Sequence, residues 1–136
     1  MSAAAALSRQ TQGARIRPQA LVVGSAYVQT PLQNLFACST WTLEREATVN
    51  AGIERLTRER FPAVLCGAQD WKLIVSAVSA LDRPPIVIAL SEDRGKEDWL
   101  QAITSHVYVL DANRLAAPEL FSLLNHAWRL CNRPGR

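Results

Sequence analysis

Four runs in this chain, ALVV (20–23), AVLC (63–66), IVIAL (86–90) and VYVL (107–110), are apolar and too short to be helices. Between them lie longer stretches in which apolar residues recur every three or four positions. A strand that reads as a continuous apolar run is covered on both faces, and the intervening helices supply the cover. The alternation therefore predicts βα units around a parallel sheet, an α/β fold. With 136 residues, one domain with a sizeable core is the simplest organisation.

A fifth strand is expected at Trp41-Thr-Leu-Glu-Arg, where the more polar composition suits a sheet edge. The first helix is predicted around Pro31 to Ser39, with Leu32, Leu35 and Phe36 on one face and Pro31 in the first turn. The second spans Val49 to Arg60, with Val49, Ile53 and Leu56 inward and Glu54, Arg55 and Arg58 outward. Asp70 is placed as the N-cap of a third helix whose stripe is Trp71, Ile74, Val75, Val78 and Leu81, stopped by Arg83-Pro84-Pro85. A short fourth helix is expected around Trp99, Leu100 and Ile103. A last one starts at Pro118, with Leu120, Leu123, Leu124, Ala127 and Trp128 along one side. That makes five strands and five helices, divided into a flexible leader (1–19), a domain (20–132) and a tail (133–136).

Charge narrows the function only slightly. The net charge of +3 owes much to Arg9, Arg15 and Arg17 near the start and Arg129, Arg133 and Arg136 at the end. Such an excess speaks to solubility rather than to fold. There is no dense basic cluster and no direct nucleic-acid motif. Cys38, Cys66 and Cys131 are odd in number, lack CxxC spacing and read as reduced thiols. No apolar stretch is long enough to span a membrane. The start lacks a basic region ahead of its short Ala/Leu stretch, so it makes a poor signal peptide and the expected location is cytoplasmic.

The chain offers little to an enzyme. It has no zinc spacing, no glycine-rich phosphate loop and no GxSxG elbow, and Gly24 stands without the rest of a GxGxxG pattern. His106 and His126 lack an acidic or cysteine partner at a telling spacing. The acidic pairs Glu44/Glu46, Glu92/Asp93 and Glu97/Asp98 fall on polar strand, loop or helix-start positions. Trp71, Trp99 and Trp128 lie on helical stripes and are assigned to the core or to an interface. No nucleophile–base pair is visible, so the expectation is no catalysis, no metal and no cofactor.

The order of these units, together with particular stretches, resembles the receiver domain of bacterial two-component response regulators. Residues 40–67, TWTLEREATVNAGIERLTRERFPAVLCG, look like that family's second strand, second helix and third strand without a gap. IVIALS looks like the fourth strand, with Ser91 at the family's switch Ser/Thr position, and YVLD like the fifth, with Tyr108 at its switch aromatic. The resemblance implies a flavodoxin-like, doubly wound parallel sheet in the order 2-1-3-4-5. It also implies a pocket at the strand ends where paired acids hold magnesium, an aspartate accepts a phosphoryl group and a lysine completes the site.

That pocket is degenerate here. Gly24 and Ser25 stand where the acids belong, Gly67 where the acceptor belongs, and Asp111-Ala112 where the lysine and its following proline belong. Magnesium needs hard oxygen ligands, and the phosphoryl group needs a carboxylate to receive it. The resemblance thus implies a pseudo-receiver: a non-catalytic, phosphorylation-independent signalling module that acts on a protein partner. Asp111 is expected to bond local N–H groups or Ser91. In the family the fourth helix, fifth strand and fifth helix form the interaction face, here Trp99, Tyr108, Leu115 and Trp128, through which a homodimer is also expected. Two alternatives stand beside this reading. One is a phosphorelay receiver with Asp70 or Asp111 as substitute acceptor; the other is a small-molecule binder in the crevice left by Gly24, Gly67 and Ala68.

Overall fold

Each apolar run forms a strand, and the strands pair in parallel, with a helix carrying the chain back to the same end in each of the three described connections. A computed structural model describes residues 18–24, 30–91, 107–111 and 116–131. In order these contain β1 (Gln19–Val23), α1 (Thr30–Ala37), β2 (Thr42–Glu46), α2 (Val49–Arg58), β3 (Ala63–Gly67), α3 (Trp71–Val78), β4 (Ile86–Ser91), β5 (Tyr108–Asp111) and α4 (Ala117–Cys131). The sheet runs β2-β1-β3-β4-β5, the expected order, with the polar strand β2 at one edge. Four helices occur among the described residues against the five expected. The helix placed around Trp99, Leu100 and Ile103 lies outside the described residues, as do Ser25, Leu115, the leader up to residue 17 and the tail.

Period-two alternation divides the core between the two faces of the sheet. Ala20, Val22, Ala63, Leu65, Ile88, Leu90 and Leu110 pack against α1 and α4. Leu21, Val23, Val64, Cys66, Val87 and Ala89 face α2 and α3, where Leu56, Trp71, Ile74 and Val78 cover them. Every residue of β3 is buried, as a central strand covered on both sides must be. On the first face Phe36 meets Phe121 at 5.6 Å between ring centroids, and Trp41 meets Trp128 edge-on at 6.1 Å.

Helix α2 comes unusually close to the sheet. A side chain on Gly52 would overlap Val23 of β1, so only glycine allows this approach. Its N-terminus is capped by Thr48, whose Oγ1 accepts from the Ala51 N–H at 3.1 Å. It stops at Arg58 rather than Arg60, because Glu59 is already extended (φ −124°, ψ 148°) while its N–H still donates to the Arg55 carbonyl.

Arg55 departs from its expected outward position. Its guanidinium turns onto the edge strand and binds Glu44 at 2.8 Å, Glu46 at 3.3 Å and Glu59 at 2.9 Å. These carboxylates hold its ionisation well above the usual arginine range, Glu59 most strongly. The helical wheel assigned Arg55 to solvent. The polar face of β2 gives it something better to do.

Candidate functional site

The C-terminal ends of the strands, where ligands sit in open α/β sheets, are built from small residues. β1 runs out into Gly24, which adopts a left-handed backbone (φ 66°) that side-chain-bearing residues rarely take. β3 ends at Gly67, β4 at Ser91 and β5 at Asp111. The register sets Ser91 directly beside Asp111. Neighbouring positions in a parallel pair project to the same face. Ser91 is buried and Asp111 half-buried, and each has polar or electrostatic contacts.

The space above the two glycines is not empty. A turn closed by the Asp70 N–H on the Gly67 carbonyl (3.1 Å) leads from β3 into α3. Within that turn Gln69 folds back: its Oε1 lies 3.0 Å and its Nε2 3.4 Å from where a Gly67 side chain would begin. Asp70 does the same for β1. Its Oδ2 lies 3.0 Å from the corresponding point on Gly24, with Val49 Cγ2 at 3.4 Å.

Asp70 therefore corrects the expectation of a side-chain cap. It holds the N-cap position of α3, but its backbone is helical (φ −107°, ψ −13°) and its side chain caps no N–H. A capping carboxylate needs an extended backbone to reach back over the first turn. With a helical one, this side chain is directed over β1 instead. Burial there pushes its carboxyl above the usual carboxylate range. Behind it lies Cys66, fully buried. Burial and the nearby Asp70 charge raise the Cys66 thiol far enough to leave it protonated, so it behaves as core rather than as a nucleophile.

The expected interaction face comes together only in part. Tyr108 on β5 is 37% exposed, and its ring lies edge-on to His126 of α4 at 6.4 Å. His126 is half-buried there. Trp128 instead turns inward against the core and Trp41. Trp99 and Leu115 lie outside the described residues. Sequence reasoning missed Gln69 and the direction of Asp70. The one signal for either was proximity to Gly67, because two polar residues just past a strand-ending glycine have that open space to occupy.

No protein-family model matches the chain, and no curated protein matches it. Solved structures do. The signal receiver domain of an HD domain-containing protein from Pseudomonas fluorescens Pf-5 superposes with a TM-score of 0.68 at 20% identity, covering 83% of this chain and 88% of that one. The receiver domain of NtrC4 from Aquifex aeolicus gives 0.65 at 16% identity, covering 82% and 97%. The chain has the receiver fold. A third match is the receiver domain of a sensor histidine kinase from Pseudomonas aeruginosa PAO1, with a TM-score of 0.65 at 16% identity over 82% and 98% of the two chains. That structure holds a magnesium ion coordinated in its active-site cleft. Among the described residues of this chain no group of three or more His, Cys, Asp or Glu side chains could hold a metal ion. Within the receiver fold, this chain's strand ends present two glycines covered by Gln69 and Asp70. No described helix is long and apolar enough to cross a membrane.

Proposed function

We propose that this protein is a non-catalytic signalling or regulatory module that uses the receiver fold to bind a protein partner in the cytoplasm, without being phosphorylated. The observation that carries this reading is the Gln69 amide lying over Gly67. Where β3 ends there is no carboxylate, and a neutral amide fills the space one would occupy. Charge supports the same conclusion. Asp111 is an acidic residue at the end of β5, and Asp70 lies at the end of β1. An incoming phosphoryl dianion would meet repulsion from both.

Incubation of the full chain with acetyl phosphate and Mg²⁺, read by intact mass, tests this. The unmodified mass is the expected result, and a stable gain of one phosphoryl group would sink the proposal. One observation favours a second reading, a substitute acceptor. The Asp70 carboxylate caps nothing and leans over β1. A phosphoryl adduct that disappears in Asp70→Asn would establish that reading instead.

The partner surface we assign is the β5 edge with the adjoining side of α4, centred on the exposed Tyr108 and its contact with His126. Trp128 contributes by holding α4 against Trp41. The same surface would serve a homodimer, and light scattering of the wild type and of Tyr108→Arg measures whether it does. The Ser91–Asp111 pairing is assigned to shaping this edge from within, since the register joins β4 to β5 there.

A further inference from the structure

The opposite end of the sheet holds a cavity of about 450 Å³, lined in part by Arg58, Arg60, Leu81, Asp82, Arg83 and Pro85. It lies between the end of α2 and the connection from α3 to β4, just ahead of the strands that start at Ala63 and Ile86. Small-molecule sites fall in the range of roughly 300–1,000 Å³. The strands are about five residues long at about 3.3 Å per residue, so the cavity is roughly 15 Å from the glycine-lined crevice.

Its lining is cationic and uncommitted. Arg58 and Arg60 pair with no carboxylate among the described residues, because the ion pairs found there all belong to Arg55. Glu59 also lines the cavity, but its carboxylate is tied to Arg55. Asp82 is the remaining acid. Arg83 reaches across to the end of α4, where its Nη1 lies 3.5 Å from the Cys131 carbonyl. Burial raises the Cys131 thiol, and the positive charges of Arg60 and Arg83 offset part of that push.

Arginines at helix C-termini often only complement the helix dipole. That accounts for Arg58 in the last turn of α2 and for Arg83 at the end of α4. It accounts less well for Arg60, which lies two residues beyond α2 and past the extended Glu59, because the dipole's pull falls off within the last turn. Nor does it account for a cavity of this size lined by three arginines. Planar guanidinium forks match carboxylate and phosphate oxygens in pairs, and the three terminal oxygens of a phosphate monoester can serve more than one fork at once.

We infer that this cavity binds a small phosphate monoester, its phosphate held by Arg60 and Arg83 with Arg58 at the rim and its body filling the space toward Leu81 and Pro85. The two sources of such chemistry, free phosphate and a phosphorylated metabolite, differ in how much of the cavity they fill.

Calorimetry on the full chain with ribose 5-phosphate, inorganic phosphate and ribose as probes tests the site. Ribose 5-phosphate is expected to bind at least about tenfold more tightly than either of the others, a difference of about 1.4 kcal/mol. Arg60→Ala/Arg83→Gln should abolish that binding, while Arg129→Ala, an exposed α4 arginine outside the lining, should leave it unchanged. Asp82→Asn removes the remaining acid and should tighten binding, a gain that misfolding cannot produce. If inorganic phosphate binds as tightly as the ester, the site serves free phosphate and the metabolite assignment falls. No binding at millimolar ribose 5-phosphate overturns the inference. So does equal binding by ribose, an unchanged affinity in the Arg60/Arg83 variant, or an equal loss in Arg129→Ala.

Discussion

The two ends of the sheet are built from opposite materials. Where the strands finish, the chain places Gly24, Gly67, Ser91 and Asp111, with Gln69 and Asp70 folded over the glycines. Where β3 and β4 begin, it places Arg58, Arg60 and Arg83 around a cavity. In an open α/β sheet the first end is the usual home of ligands and of anion chemistry. Here that end is filled by the chain's own side chains and bears carboxylates, while the uncommitted cations have gathered at the other. Topology fixes where a crevice forms, but residue chemistry decides whether it remains a site.

Both ends hang on α2, which starts beside Gly24 through Val49 and finishes at the arginine cavity. The largest effect is therefore expected from Gly52→Ala, which forces a methyl group into Val23. Overpacking of this kind costs about 1–3 kcal/mol, here toward the top because the methyl group meets both Cγ1 and Cβ of the stiff Val23 side chain, and the gain in helix propensity of up to about 1 kcal/mol leaves a net loss of at least about 2 kcal/mol. Urea denaturation measures the balance. Unchanged stability would mean that α2 does not clamp the two ends together.

The next comparison lies within the crevice. Gly24→Ala should cost about 1–2 kcal/mol, because its backbone is left-handed and its neighbours are Asp70 and Val49. Gly67→Ala should cost less than about 1 kcal/mol, since what it displaces is the far end of a flexible glutamine. Equal losses in the two variants would show that Gln69 is a fixed part of the structure rather than a soft cover.

The smallest effect belongs to Asp70. Its carboxyl is raised by burial, so folding favours its neutral form. That contribution is fully present below the unfolded value near 3.9 and is lost as pH rises through the folded value. Asp70→Asn, neutral throughout, should therefore melt higher than wild type at pH 7, with the gap closing as pH falls through the folded value and gone below about 4. A lower melting temperature at pH 7 would mean that the carboxylate has a stabilising partner.

Much of this could be read from the residues. The parallel sheet, the two-faced core and the polar edge at β2 follow from where apolar runs and helical stripes fall, because burial dominates those choices, while the strand order was legible only through the resemblance to receiver domains. The placement of Gly24, Gly67 and Asp111 at the strand ends was legible once the apolar runs were located. What escaped were directions. Asp70 has the right identity for a cap, but a cap also needs an extended backbone, and the short turn from Gly67 imposes a helical one. Arg55 looked solvated on a helical wheel, which takes no account of a neighbouring strand with carboxylates to spare. The arginine cavity joins segments more than twenty residues apart that carry no shared motif.

The Arg55 cluster has one more consequence, which concerns how the sheet ends. A single guanidinium faces Glu44, Glu46 and Glu59, so the α2 side of β2 keeps a surplus of negative charge along an edge whose backbone groups are open to pairing. A second copy that tried to extend the sheet there would bring its own row of glutamates alongside. Acidic residues on an edge strand oppose that kind of growth. β5 carries no such row: its exposed residue is a tyrosine. Among the described residues the two edges thus differ in kind: acidic side chains guard one against polymerisation, and no such row stands on the other.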